Sequence, residues 1–114
     1  MVMRGDVYNA QLEPVIGSEQ GGTRPAVVVS RDALNTHAPI VVIVPLTDKE
    51  NKKKTYPTHV ELKAGEGGIH IDSLALCEQV RSISKARLKD KLGHLPPQKI
   101  SLLSATLKIT LDLP

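Results

Sequence analysis

The chain has 114 residues, 40% hydrophobic and 24% charged, with a formal net charge of +3, a balance that fits one folded domain and excludes a disordered chain. With Tyr8 and Tyr56 as its only aromatic residues and no Phe or Trp, it lacks the several platforms on which a stacking reader of single strands depends. The single cysteine, Cys77, excludes an internal disulfide, no apolar run approaches the roughly 18 residues of a membrane span, and the start lacks a signal-peptide pattern, so a soluble, cytoplasmic protein is expected.

The stretch 5–13, GDVYNAQLE, alternates imperfectly and predicts a first strand. Val7, Asn9 and Gln11 would point one way, and Asp6, Tyr8, Ala10 and Leu12 the other. Pro14 ends it. The loop from Val15 to Thr23 holds three glycines, which reach φ > 0 cheaply and predict a mobile segment. Pro25 biases Arg24 toward extended geometry. Ala26 to Val29 then reads as a strand buried on both faces. Asp32 to Ala38 is a break, read as a helical turn capped by Asp32. Ile40 to Leu46 is a second buried strand, whose Pro45 asks for an edge or a bulge. Thr47 sits where that strand runs out.

The stretch 48–55, DKENKKKT, is a polar loop, and Thr58 to Leu62 a short alternating strand. A turn at 64–68 leads into one or two strands between Ile69 and Ile83. SKARLKDKL, 84–92, suggests a short helical turn and a terminal strand. Pro96-Pro97 suits the start of a helix, where backbone donors are not needed. Ile100, Leu103, Leu107 and Leu111 then recur at helical spacing, and Leu102, Ile109 and Leu113 widen the stripe. With no repeat and no boundary, residues 1–114 are expected to form a single domain, mainly β with helices: a small β-barrel with an appended C-terminal α-helix.

His37, His59, His70 and His94 are scattered, without the clustered spacing of a zinc site, so no metal is expected. The glycines of GSEQGG, 17–22, precede no Gly-Lys-Ser/Thr, and G-x-S-x-G is absent. Lys52-Lys53-Lys54 lie near Asp48 and Glu50, more suggestive of a solvated loop than of a phosphate contact. Arg81, Lys85, Arg87, Lys89 and Lys91 form a second basic segment with the same two readings. The stronger signal is a combination. Arg24 opens one buried strand and Thr47 closes another. Glu78-Gln79 interrupts the apolar run LALCEQV, 74–80, which requires a cleft or a hydrogen-bond partner for at least one of the pair.

The stretches RGDVYNAQLEPVIGSEQGGTRPAVVVSRD (4–32), VPLT (44–47), PTHVEL (57–62) and DSLALCEQVRSISKARL (72–88) span nearly the whole chain. Together they resemble the MazF/PemK type of toxin endoribonuclease. The resemblance implies a partly open, SH3-like β-barrel with helices, in a homodimer. It implies metal-independent cleavage of single-stranded RNA at short sequence motifs, leaving 2′,3′-cyclic phosphate and 5′-hydroxyl ends and inhibiting translation and growth. No cofactor is implied. The implied partner is a cognate antitoxin whose disordered, acidic C-terminal tail covers the RNA site. Carried over by position, the catalytic arginine and threonine fall on Arg24 and Thr47. The mobile loop falls on Val15 to Thr23, with Ser18, Glu19 and Gln20 supporting the site. Glu78 and Gln79 fall beside the RNA, and Thr58 and His59 on another contact segment. Asn9 departs from the aromatic common in the family. Asp48 departs from a small residue, and an acid there repels phosphate.

These residue types suit that chemistry. The Arg24 fork matches phosphate oxygens and stays charged, and the Thr47 hydroxyl donates to the same oxygens. Arginine is a poor base, which makes His59 an alternative proton acceptor if it reaches the site; its spacing fits a solvent-facing strand residue equally well. Gln79 offers the donor and the acceptor that base edges require. Glu19 is expected to hold Arg24 while the site is empty. The runner-up function is a non-enzymatic toxin of the same fold that inhibits DNA gyrase, followed by a protein-interaction module with neither activity.

Overall fold

The computed structural model describes residues 1–52 and 54–114, so Lys53 of the lysine run lies outside the described residues. In chain order come β1 (Asp6–Gln11), β2 (Thr23–Val28), α1 (Asp32–His37), β3 (Ile40–Asp48), β4 (His59–Leu62), β5 (Ser73–Leu76), β6 (Arg81–Ser84), β7 (Leu88–His94) and α2 (Pro97–Thr110). The strands form one antiparallel, unclosed sheet in the order β4-β5-β3-β2-β1-β7, with β6 paired to the first half of β3. This is the expected mainly-β architecture with a C-terminal helix. Among the described residues, no helix is long and apolar enough to cross a membrane.

The β-branched run after Pro25 is buried on both faces because the sheet separates two cores. Val27 packs with Val7, Val44, Leu46 and Leu62 on one side. Ala26 and Val28 pack with Ala10, Leu12, Val41 and Ile43 on the other. Alternation along each strand thus feeds apolar side chains to both. β1 shows the same division, with Val7 in the first core and Ala10 and Leu12 in the second. Asp6 departs from it: buried at 1% exposure, it accepts from the Met3 backbone N–H and pairs with His94.

Pro45 does not sit at an edge. β3 is flanked on both sides, and its partner changes at the proline. Ile40 to Ile43 pair with β6, and Leu46 to Asp48 pair with β5. A residue with no N–H to donate fits between the two ladders. β3 also runs on through Thr47, which lies inside the strand rather than beyond it.

α1 starts one residue earlier than a cap at Asp32 would give. Arg31 is the N-cap, without a side-chain cap bond. Asp32 is the first helical residue, and its carboxylate accepts from the Arg4 backbone N–H (2.7 Å). Glu78 and Gln79 are not in a strand either: Cys77–Gln79 form a 3-10 turn between β5 and β6. Of the α2 stripe, Leu103 is buried and Ile100 and Leu107 pack on the first core. Leu111 is 52% exposed and leaves the stripe, while Thr106 is buried within the helix, its hydroxyl returned to the Leu102 carbonyl.

Close backbone contact locks the turn before β5 onto β7. Gly68 has φ +79°, and a Cβ there would lie 2.0 Å from the Leu92 carbonyl oxygen. Only glycine satisfies both demands.

Candidate active site

β2 and β3 run as a ladder from Val28↔Ile43 to Ala26↔Pro45 and then part. Beyond that point β2 continues against β1, with Arg24 opposite Ala10. β3 continues against β5, with Thr47 opposite Leu74. Extending the lost register would set Arg24 against Thr47. The fork instead opens a cavity of about 350 Å³ whose lining includes Arg24, Thr47, Asp48, Asn51, His70 and Ser73. The two residues implied to be catalytic therefore share one cavity. A larger groove of about 510 Å³ adjoins it, with Asp48 and Ile71 in common. Among the described residues, the lining there sets Asp48, Glu50 and Asp72 against Lys49, which makes it the less suitable bed for phosphate.

The Arg24 guanidinium is held on one side. Its Nε donates to the Gly21 carbonyl (2.7 Å), and its Nη1 donates to the Gln20 side-chain oxygen. Of its five N–H donors, three have no protein partner among the described residues. Gln20 is itself held, its backbone N–H donating to Gln79 Oε1 (2.7 Å). Gln79 Nε2 reaches the Ser18 carbonyl over a long 3.4 Å. The expected role of Glu19 therefore belongs to Gln20. The Glu19 carboxylate instead accepts from the Ile16 backbone N–H (2.6 Å), closing its own turn of the loop.

Thr58, His59 and Glu78 form a second cluster. The Thr58 hydroxyl donates to Glu78 Oε1 (3.0 Å), and His59 Nε2 lies 2.9 Å from Glu78 Oε2. The Tyr56 backbone N–H donates to His59 Nδ1 (3.3 Å). That bond assigns the neutral ring's proton to Nε2, which then donates to the carboxylate. With a side chain 3% exposed and both nitrogens engaged, His59 is neither the solvent-facing residue nor the free proton acceptor that its spacing allowed. Burial alone would raise the Glu78 pKa, but its own backbone N–H, His59 and Thr58 outweigh burial and hold it below the ordinary value. Next to it, burial first and the Glu78 charge second push the Cys77 thiol up to about 12.

Glu19, Gln20, Glu78, Gln79 and Arg81 line a third cavity of about 300 Å³. The structure thus places Arg24 and Thr47 in one cavity and Glu19, Gln20, Glu78 and Gln79 in another, with Thr58 and His59 attached to the second through Glu78. Gln20 joins the two. His70 and Asn51 went unrecognised from the sequence, because the chain turns that bring them to Thr47 leave no spacing signal. Tyr56 was counted but not placed. It is 58% exposed, and its ring meets His59 edge-on with centroids 5.3 Å apart.

Part of the second basic segment is structural. Arg81 donates to the Leu12 carbonyl (3.3 Å), and Arg87 donates to the carbonyls of Gln11 and Glu13. Among the described residues, no group of three His, Cys, Asp or Glu side chains is placed to hold a metal ion.

Residues 3–111 match the family of PemK-like, MazF-like toxins of type II toxin–antitoxin systems, and the chain belongs to that family. It is 43% identical over 113 residues to Endoribonuclease MazF of Staphylococcus saprophyticus, covering 99% of this chain and 93% of that protein. The fold is similar to an endoribonuclease solved in complex with its cognate antitoxin from a mycobacterial species, at 27% identity and TM-score 0.82, covering 100% and 98% of the two chains. It is equally similar to MazF from Deinococcus radiodurans, at 27% identity and TM-score 0.82, covering 98% and 97%.

Proposed function

We propose that this toxin is an endoribonuclease that cuts single-stranded RNA at short sequence motifs and inhibits translation and growth. The observation that carries the reading is the shared cavity of Arg24 and Thr47 at the β2–β3 fork. The RNA supplies its own nucleophile. Its 2′-oxygen attacks phosphorus as the 2′-proton is removed, and the 5′-oxygen leaves and gains a proton, giving a 2′,3′-cyclic phosphate and a 5′-hydroxyl. The free donors of Arg24 and the Thr47 hydroxyl neutralise the charge that grows on the phosphate oxygens, at roughly 3–4 kcal/mol per donor. Because the nucleophile is intramolecular and the charge is met by arginine, the reaction runs without a metal ion or cofactor.

His59 is turned toward Glu78, while His70 lines the reacting cavity. His70 is accordingly the imidazole placed to accept the 2′-hydroxyl proton. Gln79 reads a base edge from the adjoining cavity, and the exposed ring of Tyr56 offers a stacking face. The partners are a cognate antitoxin whose disordered, acidic C-terminal tail competes for Arg24, and a second copy of the chain in a cytoplasmic homodimer.

The test is incubation with an unstructured RNA in EDTA, followed by mapping of the cut sites and their end groups. Cleavage that leaves cyclic phosphate and falls at least a hundredfold in Arg24→Ala is expected. Undiminished cleavage by Arg24→Ala overturns the site. Intact RNA with inhibited DNA supercoiling would favour the gyrase-inhibiting alternative.

A further inference from the structure

We infer that Gln20 is a positioning residue that couples base reading at Gln79 to the orientation of Arg24, an inference that rests on the proposed RNA cleavage. Gln20 is held by its main chain and holds with its side chain. Its N–H donates to Gln79 Oε1 (2.7 Å), and its Oε1 accepts from Arg24 Nη1. Both amide orientations follow from their partners, because an N–H and a guanidinium each demand an oxygen opposite. Gly21 completes the clamp by accepting from Arg24 Nε (2.7 Å). A guanidinium held at Nε and Nη1 has its plane fixed, so its remaining donors keep one direction into the Thr47 cavity.

Gln79 is the variable end of the chain of contacts. Its Oε1 is committed to Gln20, while its Nε2 makes, among the described residues, only the 3.4 Å contact to the Ser18 carbonyl. An acceptor on a base edge recruits that Nε2 without displacing Gln20 from Oε1. The carboxamide is then pinned at both ends, and with it Gln20 and the Arg24 fork. A base that presents a donor instead leaves the carboxamide free to turn, and the loop around Gln20 loosens. Discrimination between bases thereby appears in turnover as well as in binding.

The test compares wild type, Gln20→Ala, Gln20→Glu, Gln79→Ala and the double alanine variant on an RNA oligonucleotide with a mapped cut site. It also follows the Arg24 Nε–H resonance by NMR without RNA. Gln20→Ala is expected to lower kcat by roughly ten- to a hundredfold with KM within about twofold, the pattern of lost orientation rather than lost binding. Gln20→Glu retains an acceptor oxygen at the same reach and should recover most of that loss. Adding Gln79→Ala to Gln20→Ala should raise KM and cost no further kcat, since the two act through one chain of contacts. The Arg24 signal should move in both single alanine variants. A kcat unchanged in Gln20→Ala, additive kcat losses or an unmoved Arg24 signal would each overturn the inference while wild-type cleavage stood. RNA left intact by the wild type would overturn the cleavage reading, and the inference with it.

Discussion

His59 Nε2 and Glu78 Oε2 are 2.9 Å apart, so this imidazole is spent on a carboxylate. Its Nδ1 already accepts from the Tyr56 backbone. Replacing His59 with Gln should therefore raise KM for RNA and leave the shape of the kcat–pH profile unchanged. Replacing His70 with Asn should remove one limb of that profile. Rates on one oligonucleotide between pH 5 and 9 decide the matter, and a limb lost from His59→Gln instead would reverse the assignment.

Thr47 is 4% exposed, and valine has nearly its shape. Thr47→Val should keep the fold, since Thr47 lines the cavity at the fork and the strand favours β-branched residues. Losing one donor to the phosphate should cost roughly 3 kcal/mol of transition-state stabilisation, about a hundredfold in kcat. Single-turnover cleavage measures this, with the urea midpoint as control. A variant equally fast would remove Thr47 from the chemistry.

Acid should weaken the fold through Glu78. Its carboxyl sits below the ordinary 4.5. A carboxylate with a lowered folded pKa contributes fully above the ordinary value, and the contribution fades as pH falls through the lowered one. Urea midpoints should thus hold above pH 4.5 and drop below it, with a shallower drop in Glu78→Gln. Glu61, brought to about 2 chiefly by Lys63 and then Lys49, adds little because solvent screens a surface pair. Parallel curves for wild type and Glu78→Gln would refute the Glu78 contribution.

Cys77 should be inert while the chain is folded. Its thiol is fully buried and pushed up to about 12, so almost no thiolate forms at pH 8. A thiol reagent should label it only above the denaturant midpoint, in step with the loss of circular dichroism. Labelling in native buffer at the rate of a free thiol would contradict this.

Much of the architecture was legible because alternation and β-branched runs report burial directly. Ala26 to Val29 and Ile40 to Leu46 declared themselves as inner strands, and Pro96-Pro97 marked the start of α2. What stayed hidden were decisions made by tertiary pairing. Pro45 reads as an edge residue until β3 is seen to exchange β6 for β5. Leu111 matches the α2 stripe by spacing, but the helix ends at Thr110 and leaves it in solvent. At the site, residue type pointed to Arg24 and Thr47 as soon as the family resemblance supplied a template. The choice of Gln20 over Glu19 as the partner of Arg24 could not be read that way. Adjacent loop residues with similar reach are told apart only by the turn, and Glu19 spends its carboxylate on Ile16.

The change of partner at Pro45 makes the mouth of the cavity a matter of counting rungs. β2 and β3 behave as a zipper, and Ala26↔Pro45 is the last tooth to close. Each further tooth would advance the junction by one residue, about 3.3 Å along the strands, and two would carry it across Arg24 and Thr47 themselves. The stop therefore sets how much of each strand the substrate can see. A fixed stop also sets the mouth of the cavity in the sheet itself, where two strands part, rather than in a loop.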